Sequence, residues 1–174
     1  MKEFNIKYTD GVVVLGKRGS GKTYLTKKLV RNFKNKLIID IVGNMKEIIS
    51  DSDKYFAVSP QNSELVFTKF DYKKGNFYLV VDEADRIKYG DALQNIINLG
   101  RNWNIGYIAT ARRTARINKD YLANATHLFI FKHHLPQDIK MLEEWVDNIE
   151  VIEELNEHEF AYFYNEQYQF RGKI

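Results

Sequence analysis

The sequence predicts an α/β fold in which helices flank a mostly parallel central sheet. Short, continuous apolar runs recur along the chain, and strands of this kind suit a sheet that is covered on both faces. Stretches with helical spacing lie between these runs, as expected when helices connect parallel strands. The end of the chain alternates apolar and polar residues instead, which indicates a C-terminal antiparallel hairpin at about residues 149–174 that turns at Asn165-Glu166.

The predicted elements follow one another in a regular order. The strands are Val12–Leu15, Leu37–Val42, Phe77–Val81, Ile105–Ala109 and Leu128–Phe131, with weaker candidates at Tyr55–Val58 and Leu65–Phe67. The helices are Thr23–Phe33, the stretch from Ala92 to Leu99, and Ile139–Val146, which follows Pro136, a residue that favours a helix start. No internal repeat or low-complexity linker interrupts them, so we expect a single domain over residues 1–174.

Composition excludes several kinds of protein. The chain of 174 residues has no cysteine, which excludes disulfides and thiolate metal sites. It has no run of about eighteen apolar residues and no apolar N-terminal stretch, so we expect a cytoplasmic protein without a membrane partner. The net charge is only +3, but the segment from Arg101 to Lys119 carries basic residues and no acid. This segment is either a solvated face or a basic edge turned toward a polyanion.

A glycine-rich segment between the first strand and the first helix matches the pattern G-x-x-x-x-G-K-[ST] in full. Its residues are Gly16, Lys17, Arg18, Gly19, Ser20, Gly21, Lys22 and Thr23. The glycines let backbone N–H groups surround phosphate oxygens, and the helix that follows directs its positive end at the same anion. Lys22 can reach the β- and γ-phosphates, and the Thr23 hydroxyl can bind Mg²⁺. We therefore expect ATP and Mg²⁺ as ligands, while Lys17 and Arg18 either add charge near the nucleotide or point into solvent.

A second motif lies about sixty residues further on, where an apolar strand ends in two carboxylates. We expect Asp82 to support, from behind its direct ligands, the metal that Thr23 holds, and Glu83 to polarise the water that attacks the γ-phosphate. A strand end is rigid, which suits the in-line geometry of that attack. Asp85 and Arg86 follow directly, and they form either part of the site or only the start of the next turn.

The order of later features extends the pattern over roughly residues 10–170. Gly100-Arg101-Asn102, Thr110-Ala111-Arg112 and Asn124 follow the acidic strand, and the stretch from Val151 to Phe170 closes the chain. In this layout the chain resembles the DNA-pumping ATPases of the FtsK/HerA superfamily, and among them the small ATPases that package viral genomes. The resemblance implies a RecA-like P-loop NTPase that works on double-stranded DNA as a homo-oligomeric ring, a pentamer or hexamer. It also implies docking to a capsid or portal-like vertex protein, in host cytoplasm or associated with the virion.

The resemblance suggests roles for several further residues. Arg101 is the candidate arginine finger that reaches a neighbouring subunit's nucleotide, although an exposed arginine at a helix end is the alternative. The family usually has glutamine after the threonine of the central strand as a γ-phosphate sensor, whereas this chain has Ala111, so Thr110 or Arg112 takes that role. The candidates for contacting the DNA backbone without reading sequence are Arg112, Arg113, Arg116 and Lys119.

Other functions remain as alternatives. Residues 82–85 spell DEAD, but helicases of that name are built from two such domains and have an adenine-reading segment with a glutamine before the phosphate loop, which here begins at Gly16. An assembly or secretion ATPase of the filamentous-phage type shares both motifs but typically carries a membrane segment. A small-molecule kinase usually needs a lid, and residues 43–76 are short and plain.

Overall fold

The computed structural model describes residues 4–174, so the first three residues of the predicted domain lie outside it. The strands are β1 (Gly11–Leu15), β2 (Lys36–Asp40), β3 (Lys54–Ala57), β4 (Tyr78–Val81), β5 (Gly106–Ala111), β6 (His127–Phe131), β7 (Glu159–Tyr164) and β8 (Gln167–Lys173). The helices are α1 (Lys22–Val30), α2 (Leu65–Lys69), α3 (Asp91–Leu99), α4 (Lys119–Ala123), α5 (Pro136–Leu142) and α6 (Glu150–Glu153).

The strands form one sheet with the order β3-β2-β4-β5-β1-β6-β7-β8. Neighbouring strands run parallel from β3 through β6, and β7 and β8 then continue the sheet in antiparallel fashion. The β7–β8 connection turns at Asn165 and Glu166, both with positive φ, as a two-residue hairpin turn requires. The predicted fold class, a mostly parallel sheet with a C-terminal hairpin, is confirmed.

Helices cover both faces of the sheet, which explains why the central strands are apolar throughout. In β1, Val13 and Leu15 face a core that includes residues of α3, α4, α5 and α6, whereas Val12 and Val14 face a second core with α1. All five residues of β1 are buried because each face of the strand packs against a layer of helices. Burial of a large aliphatic side chain contributes roughly 1.5–3 kcal/mol, so this central strand is a main source of stability.

Some predicted boundaries differ from the structure. Leu65–Phe67 is wrong as a strand, since it belongs to α2, from which Val66 and Phe67 enter the first core while Leu65 stays exposed. The C-terminal hairpin begins at Glu159 rather than near residue 149, because the short helix α6 occupies the preceding segment. The helix predicted at Ile139–Val146 begins at Pro136 and ends at Leu142. Across residues 4–174, no helix combines the length and apolar character that crossing a bilayer would require.

Candidate nucleotide site

The glycine-rich loop lies at the carboxyl end of β1 and leads directly into α1. Gly19 and Gly21 have φ values of 79° and 104°, which residues with side chains rarely adopt. A Cβ at Gly21 would also overlap the side chain of Ile174, which packs against the loop from the end of β8. The loop is tied to the neighbouring strand because the Gly16 N–H donates to the Ala111 carbonyl at 3.2 Å. The loop is therefore a closed turn that connects β1 to α1.

Lys22 folds back over this loop. Its Nζ donates to the carbonyl oxygens of Gly16 and Lys17 at 2.6 and 2.9 Å, and the residue is buried. The pKa of Lys22 is lowered to about 8, mainly by burial and next by the nearby charge of Arg112, while Glu83 opposes the shift. A phosphate oxygen is a stronger partner for this ammonium than a carbonyl, so Lys22 is poised to exchange one for the other.

Asp82 lies beside Thr110 because β4 and β5 are paired neighbours. The Thr110 hydroxyl donates to Asp82 Oδ1 at 2.8 Å and accepts from the Glu83 N–H at 2.9 Å. Burial raises the pKa of Asp82, while the Thr110 hydrogen bond opposes that rise. One threonine therefore positions both members of the acidic pair.

Glu83 is buried and lies in the left-handed region with φ of 55°. Its carboxylate is held on both oxygens: Oε2 accepts from Arg86 Nη1 at 2.7 Å, and Oε1 accepts from Arg112 Nη2. The Arg112 contact was not predicted, because the sequence placed this arginine at a DNA-facing loop or at a phosphate. Arg86 pairs with Glu83 locally, three residues along the chain.

The residues present suit a magnesium ion held together with a nucleotide. The buried Oδ2 of Asp82 has no hydrogen-bond partner among the described residues, and neither has the buried Oγ of Ser20 in the loop. Thr23 is the second residue of α1, next to Lys22, and it is partly exposed. Residues 4–174 contain no group of three or more His, Asp or Glu side chains arranged to hold a metal by themselves. A magnesium ion here would depend on Thr23, on Asp82 and on oxygens of the phosphates.

The basic segment after β5 is pinned by two carboxylates. Asp85 accepts from the backbone N–H groups of Arg112 and Arg113, each at 3.3 Å. Asp138, which is buried at the start of α5, accepts from Arg113 Nε and from the Ala115 N–H, both at 2.9 Å. The sequence offered no signal for Asp138, because a single acid in the first turn of a helix is common.

The other predicted cations lie at the surface. Arg116 is exposed and makes no ion pair within the described part of the chain, whereas Lys119 pairs with Glu144 at 3.3 Å. Lys17 pairs with Glu157 at 3.6 Å, and Arg18 is exposed beside it. Of the four residues predicted to contact DNA, Arg116 and Lys119 are therefore accessible, while Arg112 and Arg113 are held by buried carboxylates.

Arg101 lies near the amino ends of the parallel strands, whereas the glycine-rich loop lies at their carboxyl ends. Its Nη2 donates to Thr126 Oγ1 at 3.0 Å, and it lines a cleft of about 500 Å³ with Gly11, Asn98 and Asn124. Gly11 begins β1 and the loop follows its end, so the rise of five strand residues, roughly 3.3 Å each, separates the two places. Arg101 cannot complete the site of its own chain.

The fold matches solved structures of genome-packaging NTPases and of VirB4. The genome-packaging NTPase B204 of Sulfolobus turreted icosahedral virus 2, in complex with AMPPCP, superposes with a TM-score of 0.78 and 18% identity over 97% of this chain and 100% of that chain. The DNA-packaging ATPase B204 of Sulfolobus turreted icosahedral virus gives 0.75 and 19% over 95% and 98%. VirB4 of Thermoanaerobacter pseudethanolicus gives 0.74 and 11% over 98% and 91%.

Neither the protein-family models nor the curated proteins yield a match to the sequence. The relationship is therefore visible in the fold and not in overall sequence identity. At the level of the fold, the predicted resemblance to small genome-packaging ATPases is confirmed.

Proposed function

We propose that this chain is an ATPase that translocates double-stranded DNA and acts as a viral genome-packaging motor. One observation carries the proposal: the chain combines a complete phosphate loop with the acidic residues Asp82 and Glu83, both of which are positioned by hydrogen bonds to Thr110. The fold that holds this pair spans the whole of a genome-packaging NTPase at a TM-score of 0.78. Fold alone does not define function, and here the side chains supply the chemistry.

Each residue of the site has a proposed role in ATP hydrolysis. The loop N–H groups and Lys22 bind the β- and γ-phosphates, and the Thr23 hydroxyl holds Mg²⁺ with Asp82 near it. Bound Mg²⁺ supplies charge neutralisation at the phosphate oxygens. Glu83 orients the attacking water and accepts its proton, and the products are ADP and phosphate. The cleft of about 230 Å³ lined by Lys17, Arg18 and the segment 156–159 leaves room for the nucleoside.

The proposed working form is a homo-oligomeric ring, a pentamer or hexamer, in which Arg101 serves the next subunit. Arg116 and Lys119 would contact the DNA backbone, with Arg112 and Arg113 behind them, and the ring would dock on a capsid or portal-like vertex protein. Such contacts neutralise phosphates without reading sequence, so DNA affinity should fall steeply with salt. We place this activity in host cytoplasm or on the virion.

The test of the proposed function is ATP hydrolysis by the purified chain with and without duplex DNA. We expect DNA to raise the rate of phosphate release and to shift the protein toward an oligomer in light scattering. If duplex DNA changes neither, the DNA role is refuted, and a secretion or assembly ATPase becomes the better explanation.

The ring has a separate test in subunit mixing. Lys22→Ala lacks the phosphate-binding ammonium and Arg101→Ala lacks the finger, so each variant should be inactive alone. A mixture should regain activity, because some neighbouring pairs then combine an intact loop with an intact arginine. A mixture as inactive as its components would refute Arg101 as a residue acting in trans.

A further inference from the structure

We propose that Arg112 is the γ-phosphate sensor of this ATPase, and that it acts by exchanging Glu83 for the γ-phosphate when ATP binds. The inference rests on the proposed function, because it requires ATP at the glycine-rich loop. It assigns Arg112 to the nucleotide rather than to DNA.

The contacts of Glu83 provide the first argument. Arg86 holds one carboxylate oxygen and Arg112 the other, so both oxygens already accept a strong, charge-assisted hydrogen bond. A water molecule that approaches Glu83 must therefore compete with two guanidinium groups for the carboxylate oxygens. Departure of one arginine would free an oxygen for the attacking water.

The positions of the two arginines indicate which one leaves. Arg86 belongs to the same turn as Glu83, and 46% of its side chain is exposed. Arg112 reaches Glu83 from the end of β5, and its charge is near enough to lower the pKa of Lys22, second only to burial. Arg112 therefore contacts the proposed base directly and is close enough to interact electrostatically with the lysine that would bind the γ-phosphate.

Neighbouring residues leave no better sensor on this strand. Ala111, at the position where the resembling family has glutamine, is fully buried and has no polar side-chain atom. Thr110 is only 1% exposed. Its hydroxyl donates its one hydrogen to Asp82 and accepts a hydrogen bond from the Glu83 N–H. Arg112 remains, and Asp85 fixes its backbone N–H, so that the exchange needs only a side-chain movement.

The chemistry of the exchange is a competition between two anions. The γ-phosphate carries more negative charge than one carboxylate, and a guanidinium can bind two of its oxygens in a fork. When Arg112 turns to the phosphate, Oε1 of Glu83 becomes free to accept a proton from the attacking water. ADP has no γ-phosphate, so Arg112 returns to Glu83 after phosphate departs, and the base is active only while ATP is bound.

The test compares binding of ADP with binding of the non-hydrolysable analogue AMPPNP by calorimetry. In Arg112→Ala we expect AMPPNP affinity to fall about 10- to 100-fold, as for loss of a hydrogen-bonded charge pair, with ADP affinity within about twofold of wild type. In Glu83→Gln we expect AMPPNP affinity to rise several-fold, since the competing anion is gone, but only when Arg112 is present. Arg112→Lys keeps the charge and loses the fork, so it should recover only part of the affinity.

Two further variants serve as controls. Arg31→Ala removes an exposed arginine at the end of α1 and should leave both affinities unchanged. Arg86→Ala should leave the preference for AMPPNP over ADP intact, because Arg86 stays with Glu83 in the proposed exchange. Thermal unfolding of each variant separates a loss of affinity from a loss of folded protein.

Several outcomes overturn the inference. Equal loss of ADP and AMPPNP affinity in Arg112→Ala would make Arg112 a structural residue. A rise in AMPPNP affinity in Glu83→Gln that persists without Arg112 would refute the exchange. Failure of the wild-type chain to bind either nucleotide would refute the ATPase proposal as well, whereas a lack of DNA stimulation would refute only the DNA role.

Discussion

Replacing Thr110 with valine should disable the acidic pair while keeping the shape of the side chain. Thr110 is buried at the end of β5, and its hydroxyl bridges Asp82 Oδ1 and the Glu83 N–H at 2.8 and 2.9 Å. Valine has nearly the same volume and no hydroxyl. We therefore expect Thr110→Val to remove both hydrogen bonds without creating a cavity.

The two hydrogen bonds of Thr110 determine the expected loss of stability. A hydrogen bond to a charged group contributes about 1.5–3 kcal/mol, and an unsatisfied buried N–H costs about 1–3 kcal/mol. Oδ2 of Asp82 already lacks a partner among the described residues, so the variant leaves both oxygens of this buried carboxylate without one. The two contributions together predict a loss of about 2.5–6 kcal/mol in the free energy of unfolding, a large part of a typical total of roughly 5–15 kcal/mol.

The variant should also show a distinctive pH dependence. Burial raises the pKa of Asp82 and the Thr110 hydrogen bond opposes this, so Thr110→Val should raise that pKa further. A carboxyl group with a raised pKa in the folded state takes up a proton more readily there than in the unfolded state. The deficit relative to wild type should therefore shrink as pH falls through the pKa of Asp82 and grow as pH rises.

Urea unfolding followed by circular dichroism measures the stability, and phosphate release measures turnover. We expect turnover to fall about 10- to 100-fold, because a small displacement of Glu83 is costly for an in-line attack. Thr110→Ser is the matched control: it keeps the hydroxyl and should lose only about 1 kcal/mol for the missing methyl group. If the free energies of unfolding of Thr110→Val and Thr110→Ser differ by less than about 0.5 kcal/mol, the reasoning is refuted, because ordinary surface substitutions change stability by that much.

Three other predictions concern the same region. Glu83→Gln should bind ATP yet lose about 10²- to 10⁴-fold in phosphate release, and near-normal release would contradict its role as the base. ATP binding should take up a proton at pH 8.5 but not at pH 6.5, because burial lowers the pKa of Lys22 to about 8 and bound phosphate raises it again. Calorimetry in two buffers of different ionisation enthalpy measures this uptake, and equal heats at pH 8.5 would argue against it. Asp138→Asn should lose about 1–3 kcal/mol in urea unfolding, less than a fully buried pair because Arg113 is 31% exposed. Glu144→Gln, which breaks an exposed pair, should lose less than about 1 kcal/mol, and similar losses in the two variants would argue against Asp138 as an anchor of the loop.

The sequence predicted most securely the features that are encoded locally. The glycine-rich loop is readable because its glycines and the lysine act within eight consecutive residues between a strand and a helix. The central strands are readable because burial on both faces demands unbroken apolar runs. The prediction of Leu65–Phe67 as a strand was wrong for the converse reason. A three-residue apolar run fits a strand or a helix, and only packing against the core decides between them.

Contacts between distant residues could not be predicted in the same way. Arg112 and Glu83 are 29 residues apart, and they meet because β4 and β5 are adjacent in a sheet whose strand order differs from the chain order. Asp138 and Arg113 are 25 residues apart, and they meet because α5 packs against the segment that follows β5. The basic residues after β5 were therefore predicted as one group, whereas the structure divides them between buried carboxylates and the surface.

The positions of Arg101 and Glu83 determine how a site that contains both would be assembled. The phosphate loop and Glu83 lie at the carboxyl ends of the parallel strands, and Arg101 lies at the amino ends beside Gly11. An ATPase site that needs residues from both ends must be assembled from two copies, with the amino ends of the strands in one copy facing the carboxyl ends in the next. Such a contact joins different surfaces, so it repeats around a ring when the rotation closes. In that arrangement, Arg112 would report the nucleotide of its own chain while Arg101 would act on that of its neighbour. ATP binding at one site would then be linked to the geometry of the following one.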